Sequence, residues 1–202
     1  MKAFRRKGAL LVFLMFVMIF ATACSSNKTE GDTKGNGDKA ENKEPIKIGV
    51  LASTTGALES YGKQTLRGFE LGLEYATEGT MEVAGRKIEF VVEDTETKPE
   101  VAVQKATKLL EEDKVDFLVG SSSSADTLAV LPLAEEYQKI MIVEPAAADS
   151  ITGSEFNKYI FRSARNSSQD AVAGAAAIAG DGVKIATLAP DYSFGRDGVA
   201  AF

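Results

Sequence analysis

From residue 45 onward, short apolar runs alternate with segments whose apolar residues recur at helical spacing. These patterns predict strand 46–51, helix 64–76, strand 87–92, helix 101–110, strand 115–119, helix 125–137 and strand 140–143. Pro99 stands where the first turn of a helix tolerates proline, whereas Pro132 predicts a kink or a late start of the third helix. Strands that alternate with helices connect as right-handed βαβ units. The chain is therefore predicted to be an α/β protein with a parallel sheet covered by helices on both faces.

The last forty residues continue the same pattern. Residues 159–161 predict a fifth strand at an edge, and Ser167 or Ser168 could cap an alanine-rich helix over 170–179. Residues 183–188 predict the strand of a new βα unit, whose helix should start near Gly195. That helix has too few residues before Phe202 to bury an apolar face, so we expect the sequence to be part of a longer chain.

The N-terminus has the pattern of an export signal. Four basic residues among the first seven precede a continuous apolar run over 9–20, which is shorter than the ~20 residues of a membrane span. Small residues then lead to Cys24, the only cysteine, which resembles the acylated cysteine of bacterial lipoproteins. We predict a signal peptide over 1–23, with a short membrane anchor as the alternative. Residues 24–44, which start at the lipidated cysteine, contain one alanine and no larger apolar residue after it, and predict a disordered tether.

Charge and composition exclude several classes of function. Removal of residues 1–23 would take away four basic residues and leave a net charge of −10, which argues against nucleic acid as a partner. Attachment to the lipid bilayer would then depend on the acylated Cys24. The sequence contains no histidine, so Ser-His catalysis, Cys-His catalysis and His-ligated metal sites are excluded within these 202 residues. We expect no cofactor and no metal.

Three segments should meet at the carboxyl ends of the strands, where open parallel sheets bind ligands. They are residues 53–62, 121–127 and 144–150, and all are rich in small or hydroxyl residues. The serine run 121–124 fits either a carboxylate cradle of hydroxyls and amides or a solvated loop with one helix cap. A flexible linker does not fit, because a strand directly precedes the run and a helix directly follows it. A nucleophile is disfavoured, since neither a GxSxG elbow nor a histidine accompanies the serines.

Four stretches resemble one known family when they are taken together and in order. They read IGVLASTTGALESYGKQTLRGFELGLEYA, IEFVVEDTETKPEVAVQKATKLL, VDFLVGSSSSADTLAVLPLAEEYQKIMIVEPAAAD and YIFRSARNSSQDA. From about Ile46 to the end, the chain resembles the branched-chain amino-acid-binding family, the type I periplasmic binding proteins of ABC importers. The resemblance implies the type I periplasmic-binding-protein fold, with two doubly wound lobes that close over a small ligand about a hinge. Residues 45–165 would form the first lobe, and 166–202 the crossover and the truncated start of the second.

The resemblance also implies ligand-binding residues. Tyr61 would line the cleft, and Ser124 would hold the ligand's carboxylate through its hydroxyl and amide, with Ser123 beside it. The backbone of Ala146 would face the polar head of the ligand. From the second lobe, Phe194 would present an aromatic ring where a tyrosine is often found.

Two further positions leave the identity of the ligand open. Ala148 occupies the position of a threonine that helps to bind the head group of an amino acid, so that hydroxyl is missing here. Asp149 follows it and either compensates for the loss or caps the following turn, and we favour the cap.

Two weaker candidates concern charged residues. Arg165 could reach an anionic ligand from the crossover, although a solvated polar residue of the hinge is the favoured interpretation. Glu93, Asp94, Glu96 and Glu100 could be a metal-binding cluster, but such a group is more often a hydrated loop.

The sequence as a whole predicts a lipid-anchored extracytoplasmic solute-binding protein without enzymatic activity. It would capture an amino acid or a similar small carboxylate and deliver it to the permease of an ABC importer. Two alternatives stay open: a secreted lipoprotein hydrolase that uses a serine of the 121–124 run, and the ligand-sensing domain of a receptor.

Overall fold

The structure of the protein is a computed structural model, which describes residues 43–202. The predicted signal peptide, Cys24 and most of the predicted tether lie outside the described residues. The strands are β1 (Ile46–Ala52), β2 (Glu82–Val83), β3 (Arg86–Asp94), β4 (Phe117–Gly120), β5 (Ile140–Val143) and β6 (Ile160–Arg162). The helices are α1 (Glu59–Ala76), α2 (Pro99–Glu111), α3 (Ser124–Glu136), α4 (Ser167–Ile178) and α5 (Ser193–Ala201), with a 3-10 turn at Asp149–Thr152.

The strands form one mixed sheet in the order β2-β3-β1-β4-β5-β6. Strand β1 pairs in parallel with β3 and β4, and β4-β5 and β5-β6 are also parallel. The predicted α/β class and parallel pairing are therefore confirmed. Strand β2 was not predicted; it pairs antiparallel with β3 through a tight turn in which Ala84 and Gly85 both have positive φ, as a type I′ turn requires.

Helices α2 and α3 cover one face of the sheet and bury its core. Leu109 of α2 and Leu131 of α3 pack with Leu118 of β4 and Met141 of β5. Helix α1 lies on the opposite face, where the rings of Phe69 and Phe90 meet edge to face at 5.4 Å.

The second face is covered only in part by the described residues. Ile140 and Ile142 are each 36% exposed and Phe161 is 54% exposed, whereas Met141 and Val143, which alternate with the two isoleucines, are buried. The prediction of helices on both faces is thus met near β1 and β3 but not at β5 and β6.

Three helices differ at their start or cap from what the sequence predicted. Helix α1 begins at Glu59, five residues before the predicted start, so Tyr61 and Gly62 lie on a helix rather than in a loop. Helix α3 begins at Ser124 and runs through Pro132, so the predicted late start is wrong. Helix α4 is capped by Asn166 instead of Ser167 or Ser168, because Asn166 and Gln169 exchange side-chain and backbone hydrogen bonds in a capping box.

Residues 183–188 do not form the predicted strand. A strand needs a neighbour to satisfy its backbone groups, and the described part of the chain places no strand beside this segment. Its apolar side chains Val183, Ile185 and Leu188 are exposed. The helix that follows, α5, begins at Ser193, close to the predicted position.

The acidic residues near the end of β3 serve the fold. Glu93 is nearly buried and pairs with Lys105 at 2.6 Å and with Lys108. Burial raises the pKa of the Glu93 carboxyl, but the two lysines together outweigh it and hold that pKa below its ordinary value. Asp94 accepts hydrogen bonds from the backbone N–H groups of Thr54 and Thr55 at 2.9 and 3.2 Å. The interpretation as a hydrated loop is therefore wrong for Glu93 and Asp94, which lie in a strand and are bonded to neighbouring segments.

Within residues 43–202, no group of three or more His, Cys, Asp and Glu side chains could hold a metal ion. No helix in the same range is both long and apolar enough to cross a membrane.

Candidate functional site

A cavity of about 500 Å³ lies at the carboxyl ends of the parallel strands, as the sheet topology requires. Its walls come from the start of α1, the turn before α3, the segment after β5 and the start of α5. Among the residues that the sequence singled out, Tyr61, Ser124, Ala146 and Phe194 line the cavity. Ser123, Ala148 and Asp149 do not line it, and each is engaged elsewhere.

Three of the four consecutive serines hold the turn between β4 and α3. The hydroxyl of Ser121 is buried and lies 3.0 Å from Thr127 Oγ1 and from the carbonyl oxygen of Ser123. Ser122 accepts a hydrogen bond from the backbone N–H of Ser53 at 3.2 Å, which ties this turn to the end of β1. Ser123 is the N-cap of α3, because its hydroxyl accepts from the backbone N–H of Asp126.

The fourth serine, Ser124, faces the cavity with groups that are free to donate. Its Oγ accepts a hydrogen bond from the backbone N–H of Ala148 at 3.2 Å, so the hydroxyl proton remains available to a ligand. The backbone N–H groups of Ser124 and Ala125 begin α3 and donate to no residue in the described part of the chain. A helix start carries a partial positive charge, so these groups together suit a carboxylate.

The segment after β5 holds Ser124 and the start of α4 in place through hydrogen bonds of Ala148 and Asp149. Ala148 is fully buried, donates its N–H to Ser124 and accepts a hydrogen bond from Arg162 Nη2 at 2.8 Å. Asp149 accepts from the backbone N–H of Ser168 at 3.2 Å and from its hydroxyl at 2.7 Å. The carboxylate therefore caps the first turn of α4. The prediction that Asp149 caps the turn directly after it is wrong, because its carboxylate bonds to Ser168 of a helix that starts eighteen residues later and the turn at 149–152 has no side-chain cap.

Aromatic side chains form the other wall of the cavity. Tyr61 lies on α1, whereas Tyr192 and Phe194 lie at the start of α5 with ring centroids 6.0 Å apart. Tyr192 is half-buried, and burial raises the pKa of its phenol, with smaller contributions from Asp126 and Tyr61. The sequence analysis missed Tyr192, although its place two residues before Phe194 was a usable signal.

Arg165 also lines the cavity, which differs from its interpretation as a merely solvated hinge residue. Its Nη1 donates to the carbonyl oxygen of Pro145 at 3.3 Å, and its Nε pairs with Asp170 at 3.1 Å. Because this ion pair is about half exposed, solvent weakens the charge that Arg165 presents to the cavity.

Comparison with known proteins agrees with this geometry. The sequence matches the periplasmic binding protein family over residues 45–202. It is 30% identical over 131 residues to an amino acid binding protein of Pseudomonas aeruginosa. That alignment covers 64% of this chain and 34% of the Pseudomonas protein.

Two solved structures are also similar. An ABC-type branched-chain amino acid transporter from Rhodopseudomonas palustris CGA009 is 55% identical, with a TM-score of 0.69 over 78% of this chain and 42% of that one. A solute binding protein of an ABC transporter from Rhodopseudomonas palustris HaA2, in complex with p-hydroxybenzoic acid, is 31% identical, with a TM-score of 0.71 over 79% and 42%.

This chain thus spans less than half the length of each of these relatives. The family match covers more than three quarters of the sequence and all of the described elements. The resemblance seen in the sequence is therefore confirmed, and the chain belongs to the periplasmic binding protein family.

Proposed function

We propose that the full-length protein is an extracytoplasmic solute-binding protein that captures an amino acid or a similar small carboxylate for an ABC importer. The observation that carries the proposal is the start of α3. There, the Ser124 hydroxyl and the free backbone N–H of Ser124 lie in the wall of a cavity of about 500 Å³ that also has aromatic walls, and the free N–H of Ala125 follows in the same turn of the helix. A cavity of this size and lining matches small-molecule sites in general.

The relatives support the same chemistry. One is an amino acid binding protein, and another holds p-hydroxybenzoic acid, so both names point to ligands with a carboxylate. The family is periplasmic, which supports an extracytoplasmic location and a role in capture rather than in turnover.

The placement of the cavity walls supports capture by closure. Ser124 and Ala146 come from the segments that follow β4 and β5. Tyr192 and Phe194 come from the segment that follows α4 in the sequence. A hinge motion that brings these two groups together would exclude water from the ligand and strengthen its hydrogen bonds.

The ligand class can be tested by calorimetric titration of the full-length protein. The panel contains α-amino acids and hydroxybenzoates, and the methyl ester of each binding compound serves as its matched control. We expect at least one free carboxylate to bind, and its ester to bind at least about tenfold more weakly, because the ester loses the charge that the helix start recognises. If no carboxylate binds, or if acid and ester bind equally, the proposal is wrong.

We also propose that Cys24 is acylated and attaches the protein to the outer face of the membrane. A signal-like segment followed by a single cysteine and a polar tether supports this. Membrane fractionation of cells that express the full-length protein would test it. We expect the protein in the membrane fraction and a Cys24→Ser variant in the soluble fraction. Equal membrane attachment of both would contradict acylation at this residue.

A further inference from the structure

Arg165 is the only charged residue among the described residues that line the cavity. Its planar guanidinium carries N–H groups on three nitrogens. Nη1 donates to the carbonyl oxygen of Pro145 at 3.3 Å, and Nε pairs with Asp170 at 3.1 Å. The N–H groups of Nη2 donate to no described residue, and about half of the side chain is exposed. A planar cation with free donors in a cavity wall suits a carboxylate or another anionic group of a ligand.

The chain on both sides of Arg165 is held against the segment after β5. Ser167 donates its backbone N–H to the carbonyl oxygen of Ala147 at 2.8 Å and its hydroxyl to the same oxygen at 3.0 Å. Arg162 donates from Nη2 to the carbonyl oxygen of Ala148 at 2.8 Å. These bonds fix the backbone that carries Arg165 beside the cavity, so the side chain loses less freedom when it binds a ligand.

The same segment connects Arg165 with the start of α3. Pro145 accepts from Arg165, and Ala148, three residues later, donates its N–H to Ser124 Oγ at 3.2 Å. Three residues of chain span at most about 11 Å. Arg165 and Ser124 also line one cavity of about 500 Å³, a volume typical of small-molecule sites. One small molecule can therefore contact both groups.

The ion pair with Asp170 does not prevent such a contact. The side chains of Arg165 and Asp170 are both about half exposed, and an ion pair of this kind contributes little to stability. Nη2 is free while the pair is intact, and a ligand anion can also replace Asp170 as the partner of the guanidinium.

We propose that Arg165 is a second anion-binding residue of the cleft, which therefore favours ligands with a carboxylate at one end and a second anionic group at the other. The first carboxylate binds at the start of α3, and the second group accepts hydrogen bonds from Arg165. The aromatic residues Tyr61, Tyr192 and Phe194 contact the apolar part between them. This inference rests on the proposed function, because it assumes that a carboxylate binds at the start of α3.

The expected preference is about tenfold. A hydrogen bond between charged groups changes an affinity by about 10- to 100-fold. We expect the lower end of this range, because Asp170 competes for the same guanidinium and the pair is open to solvent.

Dicarboxylates of increasing length, compared with their monomethyl esters, isolate the second charge. The series is glutarate, adipate, suberate and terephthalate, and each monoester keeps one carboxylate and the same carbon skeleton. Calorimetric titration of the full-length protein at pH 7.5, where both carboxylates are ionised, should show about tenfold tighter binding of the diacid in at least one pair. A symmetric diacid gains about twofold merely because either end can bind first, so only a larger ratio supports the inference.

Arg165→Gln should weaken the diacid more than its monoester and reduce the ratio to about twofold. Arg165→Lys keeps the charge and should retain a preference for the diacid. Arg196→Gln is the matched control, because Arg196 is exposed, pairs with Asp191 and does not line the cavity, so the ratio should not change. If Arg165→Gln does not fold, as judged by circular dichroism, Asp170→Asn tests the same contact. Removal of the competing carboxylate should then raise the ratio.

Three results overturn the inference and leave the proposed function intact. The first is a wild-type ratio of about twofold or less in every pair, while amino acids, hydroxybenzoates or monoesters bind. The second is a ratio that neither Arg165→Gln nor Asp170→Asn changes. The third is an equal loss of diacid and monoester in Arg165→Gln, which would mean that Arg165 holds the first carboxylate or only supports the fold. Failure of every carboxylate to bind would contradict the proposed function itself.

Discussion

Gly62→Ala is expected to destabilise the protein by on the order of 3 kcal/mol, because α1 lies directly against the backbone of Ser53, the residue that follows β1. A Cβ atom at position 62 would lie 2.1 Å from the carbonyl oxygen of Ser53 and 2.5 Å from its carbonyl carbon. Both are backbone atoms, so no side chain can rotate away, and the helix must move by roughly 1 Å or more. Tyr61 is the neighbouring residue and lines the cavity, so the same shift should weaken ligand binding.

Urea denaturation of the full-length variant measures the loss of stability, and Gly72→Ala is the matched control. Gly72 lies on the same helix, and a Cβ atom added there would have no neighbour within 4 Å. That substitution should raise stability by about 0.5–1 kcal/mol, because alanine is the better helix former. Equal stability of the two variants would show that α1 does not approach β1 as closely as the structure indicates.

Ser124→Ala is expected to weaken the binding of the carboxylate ligand by about 10- to 100-fold, since a hydrogen bond to a charged group contributes roughly 1.5–3 kcal/mol. Ser122 and Ser124 both line the cavity and both accept a backbone N–H, but only Ser124 stands at the first residue of α3, beside N–H groups that donate to no described residue. Removal of the Ser124 hydroxyl also leaves the backbone N–H of Ala148 without an acceptor, which should cost some stability. Calorimetry with the tightest ligand of the panel measures the loss of affinity.

The neighbouring serine provides the contrast. Ser123→Ala removes the N-cap of α3 and should reduce stability by about 1 kcal/mol, with a smaller effect on affinity than Ser124→Ala. If Ser123→Ala weakens binding as much as Ser124→Ala, the ligand contacts the turn as a whole and the assignment of Ser124 as the principal donor is wrong.

The fold could be predicted from the sequence where each element buries a regular pattern. Strands β1, β3, β4 and β5 and helix α2 lie within a few residues of their predicted positions, because their apolar residues follow the period of a strand or a helix. The start of α1 was missed for the same reason. Residues 59–63 have almost no apolar residue, and burial there falls on Gly62, which a hydrophobic pattern does not register.

The candidate site could be predicted only in outline. The position of the serine run at a strand end pointed to a ligand site, and the resemblance to a family pointed to Tyr61, Ser124, Ala146 and Phe194, which line the cavity. Tyr192 and Arg165 also line it, and Asp149 serves α4, because these placements depend on how the segments around α4 and α5 pack. The roles of the predicted residues in binding remain predictions that the titrations test.

The sequence by itself determined the order of strands and helices and the place of the serine run, because both depend on neighbouring residues and on the period with which they are buried. Only the tertiary structure decided which partner each serine of the run bonds to and which glycine lies against the segment after β1. These properties depend on contacts between distant segments: Ser124 meets Ala148, 24 residues away, and Ser122 meets Ser53, 69 residues away. The pattern of neighbouring residues therefore cannot predict these contacts.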